Sequence, residues 1–272
     1  MGSMKNKEIK PRLYIRISMK QILERFVFFP DTQLISTPES IQYSYEDIYL
    51  SSPSHEKYHG WYIENSNQTK TNPLRHYILL FCHGNAGNIS HRIPLLKKFL
   101  DIGFSICIFD YPSFGLSEGT PNEESCILST SLFYQYLLET KKYQSSHIIL
   151  YGESIGGSIA TSVANKYSTP FLILQSTFTD IKQIIQQKIS IPSFLYTIIG
   201  FETYKNLKIR AKSNISLKTC IIHSQDDDLI PFEHAKRLAK YADLLLECKG
   251  KHSRTILHTS IFHTLMEFIL SN

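Results

Sequence analysis

The sequence predicts an α/β fold, in which helices cover both faces of a mainly parallel, twisted sheet. Short apolar runs of strand length alternate with stretches of helical periodicity, and this alternation is typical of β-α-β units with parallel strands. Hydrophobic residues make up 42% of the 272 residues and charged residues only 19%, so the chain can bury a sizeable core. We therefore expect one domain from residue 28 to residue 272.

The predicted elements follow one another from residue 46 onward. An antiparallel pair comes first, because the turn-forming Ser51-Ser52-Pro53-Ser54 separates two strand-like runs. Each later strand is short and apolar, and most are followed by a helical pattern. The predicted strands are 46–50, 58–63, 77–82, 104–109, 147–151, 171–175, 219–223 and 242–247. The predicted helices are about 90–100, 122–141, 154–167, 232–241 and 260–270.

The segment 177–216 breaks this alternation, since Pro192 and Gly200 interrupt a stretch rich in isoleucine and aromatic residues. It is inserted between two strands, near the carboxyl edge of the sheet. We expect a small apolar cap there, or alternatively helices that simply pack against the sheet. An apolar cap would favour a substrate with an apolar group.

The cysteines and histidines give no sign of a metal site. The cysteines are odd in number and lack Cys-x-x-Cys spacing, so we expect small buried side chains in a reducing compartment. They are Cys82, Cys107, Cys126, Cys220 and Cys248. No His-Glu-x-x-His motif or Cys/His cluster is present, and we predict no metal and no cofactor.

The basic charge is concentrated in an N-terminal arm, residues 1–27. The whole net charge of +5 is carried between Met4 and Arg25, and the neutral remainder argues against nucleic acid as a partner. Apolar residues lie between these charges. Residues 4–29 could therefore contact an anionic membrane surface, or the arm could be solvated and pack on the body. Met1-Gly2-Ser3 is typical of an expression-vector remnant.

The early apolar stretches do not predict membrane insertion or export. None reaches the 18 apolar residues that a transmembrane helix needs, and charges interrupt each of them. We expect a cytoplasmic protein, peripheral at a membrane if the arm binds one.

Gly152-Glu153-Ser154-Ile155-Gly156 follows one predicted strand and begins the next helix. Gly-x-Ser-x-Gly in this setting is typical of a nucleophile elbow, a turn so tight that larger residues at the glycines would collide with backbone. Ser154 is expected to adopt a strained conformation that exposes its hydroxyl. We predict Ser154 as a nucleophile.

A serine hydroxyl needs an imidazole as general base and a carboxylate that orients the imidazole. In doubly wound hydrolases the order along the chain is serine, acid, histidine. Asp226-Asp227-Asp228 follow the strand 219–223, and residue type alone leaves all three open. Four histidines lie further on: His234, His252, His258 and His263. Only His252 falls in the loop between the last strand and the last helix, so it is the predicted base.

The loop His83-Gly84-Asn85-Ala86-Gly87-Asn88 follows the strand 77–82. A tetrahedral intermediate of acyl transfer carries an oxyanion that needs two N–H donors. We predict the amides of Asn85 and Ile155 as these donors, with Gly84 allowing close approach.

These motifs together resemble the Bem46-like branch of the α/β-hydrolase superfamily, over nearly all of residues 28–270. The resemblance rests on the loop 83–88, the elbow and several shorter segments. These segments are Phe28-Phe29-Pro30-Asp31 with Thr37-Pro38, Gly60-Trp61-Tyr62, Asp110-Tyr111, Gly115-Leu116-Ser117-Glu118-Gly119, Asp227-Asp228-Leu229-Ile230-Pro231 and Gly250-Lys251-His252. The resemblance selects Asp227 as the acid, supports His252, and implies carboxylic ester or thioester substrates.

Two segments depart from the family pattern. Pro112-Ser113-Phe114 stands where Arg-Gly-Tyr is usual, and Ser224 stands where His-Gly is usual. The first departure changes a loop beside the expected pocket, so substrate shape should not be copied from relatives.

The sequence thus predicts a serine hydrolase that acts through an acyl-enzyme. The apolar cap and the basic arm suggest a lipid-like acyl ester or thioester, on a small molecule or on an acylated protein. Two alternatives stay open: a serine peptidase of the same fold, and a non-catalytic binding protein.

Overall fold

An eight-stranded sheet forms the centre of the protein in the computed structural model, which describes residues 27–65, 71–188, 200–213 and 217–271. A second, two-stranded sheet pairs β1 with β5. The strands are β1 (Phe29–Pro30), β2 (Glu46–Ser51), β3 (Lys57–Ile63), β4 (Ile78–Cys82), β5 (Ala86–Gly87), β6 (Ser105–Phe109), β7 (Ile148–Glu153), β8 (Phe171–Gln175), β9 (Lys218–Ser224) and β10 (Leu244–Cys248).

The order across the large sheet is β2-β3-β6-β4-β7-β8-β9-β10. Strand β3 is antiparallel to both its neighbours, and the other neighbouring strands pair in parallel, as the sequence predicts. From β4 the chain continues on one side to β6 and returns on the other side as β7. A reversal of strand order opens a crevice at the carboxyl ends of the strands, where ligands bind in open α/β sheets.

Helices cover the sheet, and side-chain caps define where two of them begin. They are α1 (Ile93–Ile102), α2 (Glu123–Glu139), α3 (Ile155–Tyr167), α4 (Ile181–Lys188), α5 (Thr203–Arg210), α6 (Glu233–Leu238) and α7 (Thr259–Leu270). Asn122 caps α2 by accepting the amide N–H of Ser125 at 2.8 Å. Asn88 caps the 3-10 turn Ile89–Arg92 that leads into α1.

The two faces of the sheet carry separate hydrophobic cores. One contains Leu80, Phe109 and Phe133, whereas the other contains Trp61, Phe81 and further residues of neighbouring helices. All five residues of β4 are buried, because a parallel strand covered on both faces presents no side to water. This burial explains why the central strands read as continuous apolar runs in the sequence.

The predicted strands are confirmed to within two residues, and the helix boundaries need two corrections. The predicted helix 90–100 is a 3-10 turn as far as Arg92 and α-helical only from Ile93. The predicted helix 232–241 ends its α-helical part at Leu238 and continues as the 3-10 turn Ala239–Tyr241. One difference is at the start of a helix and the other at an end, and 3-10 turns are frequent at both termini of α-helices.

Two predicted segments fall partly outside the described residues. Most of the arm lies outside them, because the first residue that the structure describes is Val27. Val27 is buried against the body of the protein. Residues 189–199 and 214–216 of the predicted cap also lie outside the described residues. Helix α5 packs on α3, where the Asn206 amide donates to Ser162 Oγ at 3.0 Å. A cap above the carboxyl edge therefore stays a prediction.

The cysteines are all free and buried, as expected from their apolar surroundings in the sequence. Burial raises the pKa of the Cys82 thiol to about 12, so it stays neutral at physiological pH.

Candidate active site

Ser154 stands at the turn between β7 and α3 with φ 56° and ψ −119°, the strained conformation predicted for an elbow. A Cβ on Gly152 would lie 2.5 Å from the Cα of Gly157, and a Cβ on Gly156 would collide with the carbonyl of Cys82. Both positions therefore exclude a side chain. Thr177 Oγ1 donates to the Ser154 carbonyl at 2.7 Å and supports the turn from the following strand end.

Three side chains that are distant in sequence form a hydrogen-bonded series at this turn. His252 Nε2 lies 3.1 Å from Ser154 Oγ, across 98 residues of chain. His252 Nδ1 lies 2.9 Å from Asp227 Oδ2. A hydroxyl, an imidazole and a carboxylate in this order can activate the hydroxyl as a nucleophile.

Asp227 is the buried member of the three adjacent aspartates, and Asp226 and Asp228 are exposed. The backbone N–H groups of Leu229 and Ile230 donate to its Oδ1 at 3.0 and 2.8 Å. Burial by itself raises the pKa of Asp227, but hydrogen bonds from His252 and the Ile230 N–H outweigh it and hold this pKa below its ordinary value. Asp227 is therefore an ionised acceptor for His252.

The structure brings His252 to Ser154 and places the other three candidate histidines elsewhere. His252 begins a 3-10 turn, and its backbone N–H donates to Asp228 Oδ1 at 3.2 Å. His234 Nδ1 lies 2.9 Å from Thr179 Oγ1, His258 precedes α7, and His263 is exposed within it. The loop position thus distinguishes His252, as the sequence suggests.

The loop after β4 has one backbone N–H that bonds Glu153 and a second one that bonds no described residue. The Gly84 N–H donates to Glu153 Oε2 at 3.2 Å, so that amide is engaged. The Asn85 N–H has no acceptor among the described residues. Ile155 is the first residue of α3, where an N–H has no partner within the helix. The N–H groups of Asn85 and Ile155, which are the predicted oxyanion donors, thus lack a hydrogen-bond acceptor among the described residues, in contrast to the Gly84 N–H.

The family model of the α/β-hydrolase fold matches residues 77–198. An uncharacterized protein of Acanthamoeba polyphaga mimivirus, R595, is 30% identical over 226 residues, which cover 78% of this chain and 73% of that protein. The chain belongs to the α/β-hydrolase family.

Two further similarities refine this α/β-hydrolase assignment. The Schizosaccharomyces pombe protein Bem46 is 30% identical over 154 residues, 56% of this chain and 50% of Bem46, and the chain lies in the Bem46-like branch. The esterase Pf2001 of Pyrococcus furiosus superposes with a TM-score of 0.68 over 89% of this chain and 96% of that one. At 18% identity, this likeness shows the shared fold.

An ion pair that sequence reasoning missed joins the elbow of this α/β hydrolase to the 3-10 turn that leads into α1. Arg92 Nε donates to Glu153 Oε2 at 2.8 Å, and Arg92 Nη2 donates to the carbonyl of Ala86 at 3.0 Å. Burial raises the pKa of Glu153, but the Arg92 charge together with the hydrogen bonds from Arg92 and the Gly84 N–H outweighs burial and holds this pKa below its ordinary value. The only signal in the sequence is an acid at the variable position of Gly-x-Ser-x-Gly.

The segment before β2 holds the outer side of the same loop, which sequence reasoning also missed. The Asn85 side chain donates to the Val27 carbonyl at 2.7 Å, and the Phe29 N–H donates to the Asn85 carbonyl at 2.8 Å. Strands β1 and β5 pair in parallel at this point. Asn85 is therefore fixed by its carbonyl and its side chain, while its N–H stays unengaged.

A second histidine lies behind Asp227. His223 Nε2 is 3.5 Å from Asp227 Oδ2 and 2.8 Å from the Ile230 carbonyl. Burial lowers the pKa of His223, which keeps the ring neutral and able to donate to that carbonyl. His223 is the residue just before Ser224 in β9, so a polar residue at the end of an apolar strand is the signal that could have found it.

The two departures from the family pattern have local structural roles. In Pro112-Ser113-Phe114, Ser113 has φ 72° and its Oγ donates to the Gly119 carbonyl at 3.1 Å. The turn directs Phe114 against the ring of His83, with ring centroids 5.3 Å apart. Ser224 Oγ accepts the Asp226 N–H at 3.0 Å and so shapes the acidic loop.

Proposed function

We propose that this α/β hydrolase is a serine hydrolase that cleaves carboxylic esters or thioesters through an acyl-enzyme. The single observation that carries the proposal is the hydrogen-bonded series from Ser154 through His252 to Asp227 at the elbow. Membership of the α/β-hydrolase family supports a hydrolase, and the proposal adds the serine nucleophile and the acyl substrate.

In the proposed first step, His252 Nε2 accepts the proton of Ser154 Oγ as this oxygen attacks the acyl carbon. The carbonyl oxygen becomes an oxyanion, which the N–H groups of Asn85 and Ile155 stabilise. The intermediate collapses when His252 returns the proton to the leaving alcohol or thiol. Water then attacks the acyl-enzyme by the same proton transfers and restores the Ser154 hydroxyl.

Asp227 orients the imidazole in this mechanism. Its Oδ2 accepts the Nδ1 proton of His252, which leaves Nε2 as the basic nitrogen that faces Ser154. The negative charge of Asp227 also stabilises the imidazolium that forms when His252 takes the serine proton.

The acyl group that we propose is lipid-like. Phe28 contacts Phe114 and Phe201 edge-to-face, with ring centroids 6.2 and 6.0 Å apart, and these buried rings lie beside the loop that contains His83 and Asn85. These rings make the interior under this loop apolar, and the apolar residues of the segment 177–216 favour an apolar chain in the substrate. The acyl group could be carried by a small molecule or by an acylated protein.

Labelling with a fluorophosphonate probe tests the nucleophile directly. We expect wild-type protein and Ser158→Ala to be labelled and to release a burst of product from a p-nitrophenyl ester, whereas Ser154→Ala should do neither. Ser158 is the matched control, because it is buried one turn further along α3. Equal labelling of both variants would reject Ser154.

The same assay separates the two alternatives. Faster turnover of aminopeptidase substrates than of any p-nitrophenyl ester would indicate the peptidase. Folded wild-type protein that takes no label and turns over neither substrate would indicate a binding protein.

A further inference from the structure

A pocket of about 290 Å³ lies beside His252, between the start of α1 and the turn His252–Arg254. Glu153 and Gln175 line it at the carboxyl ends of β7 and β8. Its volume is near the lower end of the range for small-molecule sites, roughly 300 Å³. Three of its four charged side chains are basic, namely Arg92, Lys98 and Arg254, and the fourth is Glu153.

The charge of Arg92 is neutralised within the pocket by Glu153, but two other cations are not neutralised. Lys98 Nζ donates to the Leu257 carbonyl at 3.4 Å. In the part of the chain that the structure describes, neither Lys98 nor Arg254 has a carboxylate within 4.0 Å. The pocket therefore presents two positive charges without a carboxylate partner, one from α1 and one from the turn His252–Arg254.

This pocket is close to the reacting atoms. A Cβ placed on Gly84 would lie 3.3 Å from Arg92 Nη2 and 3.6 Å from Ser154 Cβ, so Arg92 Nη2 and Ser154 Cβ are less than about 7 Å apart. His252 itself contributes to the lining.

The position next to His252 indicates which part of a substrate the pocket would receive. During acyl transfer, the leaving oxygen or sulfur must accept its proton from His252 Nε2, so it lies on the histidine side of the serine. The oxyanion lies toward the Asn85 and Ile155 amides. The pocket is thus placed for the leaving group.

We propose that this pocket binds an anionic group, a phosphate or a carboxylate, on the alcohol or thiol that leaves. The inference rests on the proposed function and narrows its substrate class to acyl esters or thioesters with a negatively charged leaving group. Arg254 supplies a planar donor fork, and Lys98 supplies a compact charge.

Two matched pairs of octanoyl substrates test the proposal. One pair is 1-octanoylglycerol 3-phosphate and 1-octanoylglycerol. The other is the octanoyl thioester of 3-mercaptopropionate and the methyl ester of that thioester. We expect the anionic member of at least one pair to have a kcat/KM about tenfold higher, and the pair with the larger ratio identifies the anion.

The Lys98→Gln/Arg254→Gln double variant should raise the KM of the anionic substrate and so bring that ratio close to one. The kcat/KM of the neutral substrate should change by less than about twofold. Lys97→Gln is the matched control, because Lys97 is on the same helix but pairs with Asp101 at 2.7 Å outside the pocket. Equal losses on both members of a pair, or a wild-type ratio near one, would overturn the proposal.

Calorimetric titration of glycerol 3-phosphate into Ser154→Ala measures the site without catalysis. Binding that disappears in the triple variant with Lys98→Gln and Arg254→Gln supports the anion site, even if no substrate is hydrolysed and the proposed function fails. Hydrolysis of the neutral esters with no charge preference and no such binding retains the proposed function but rejects the anion site.

Discussion

At the scale of single residues, the surroundings of Asp226, Asp227 and Asp228 decide what the same side chain can do. Asp227 is buried and accepts N–H groups from its own loop, so it keeps its charge and a fixed orientation toward His252. Its two neighbours face water. Chemical identity therefore cannot distinguish the three, whereas burial and hydrogen bonding do.

Replacing Asp227 with Asn should lower kcat by roughly a thousandfold or more. The amide oxygen would keep the Leu229 and Ile230 N–H groups, so the amide NH2 would donate to His252 Nδ1 and leave the imidazole proton on Nε2, which is the wrong tautomer. Steady-state kinetics on a p-nitrophenyl ester measure the effect. Asp226→Asn is the control and should stay within about twofold of wild type. An equal loss in both variants would contradict the role of Asp227.

Glu153→Gln should destabilise the protein in a pH-dependent way. The folded-state pKa of Glu153 is below its ordinary value, so the ionised form stabilises the fold above about pH 4.3, and this contribution is lost as pH falls through the folded-state pKa. We expect the free energy of unfolding to fall by about 1–3 kcal/mol at pH 7, and we expect this difference from wild type to become smaller below about pH 4.3. Urea unfolding at several pH values measures it.

The control for this prediction is Glu139→Gln, since Glu139 is exposed at the end of α2. It should change the free energy of unfolding by less than about 0.5 kcal/mol at each pH. A Glu153→Gln loss that stays constant with pH would mean that the carboxylate charge does not stabilise the fold.

At the scale of elements, the starts of α2 and α3 differ although both have residues suited to helix capping. Asn122 and Ser125 cap α2 by reciprocal hydrogen bonds between side chain and backbone. Ser154 precedes α3 but makes no such cap bond, because its positive φ and the imidazole of His252 turn its hydroxyl away from the helix. Helix α3 therefore gives up a local stabilising contact for the geometry of the site.

The difference between the two helix starts predicts how much each side chain contributes to the free energy of unfolding. Asn122→Ala should lower the free energy of unfolding by about 1 kcal/mol, because helix N–H groups lose their acceptor. Ser154→Ala should lower it clearly less, since no helix N–H depends on that side chain. Chemical denaturation of both variants checks this, and a larger loss for Ser154→Ala would mean that its hydroxyl supports the fold.

At the scale of the whole molecule, the strand order assembles the site from four loops. Strand β4 pairs with β7, so the loop 83–88 meets the elbow, and β9 and β10 follow on the same side. Asp227 and His252 follow β9 and β10, and both side chains return toward β7. Parallel strands place these loops at one edge, which is why the order serine, acid, histidine can converge.

The basic arm is the other feature of the whole chain. It carries the entire net charge of +5, and its residues 1–26 lie outside the described part of the structure. None of the described helices is long and apolar enough to cross a bilayer. We propose that residues 4–29 contact an anionic membrane surface.

Removing residues 4–25 distinguishes the two interpretations of the arm. If it binds membranes, the shortened chain should lose sedimentation with phosphatidylserine vesicles, because each Lys or Arg near the surface contributes about 1 kcal/mol. Neutral vesicles and high salt are the controls. If the arm instead packs on the body, vesicle binding should be unaffected and the unfolding midpoint should fall.

Features that depend only on neighbouring residues can be predicted from the sequence. The apolar strands, the elbow around Ser154, and the loop position of His252 are local patterns, and the structure contains each of them. The predicted helix boundaries are less accurate, since the first and last turns of a helix depend on contacts that the local hydrophobic pattern does not contain.

Contacts between distant segments of the chain follow from the folded structure and cannot be predicted from local patterns. Arg92 meets Glu153 across 61 residues, and Asn85 meets Val27 across 58 residues. No periodic pattern or characteristic spacing in the sequence predicts either contact, because each depends on which strands become neighbours and in which register they pair. The basic pocket beside His252 arises in the same way, since α1 and the last loop are adjacent only once the sheet is assembled.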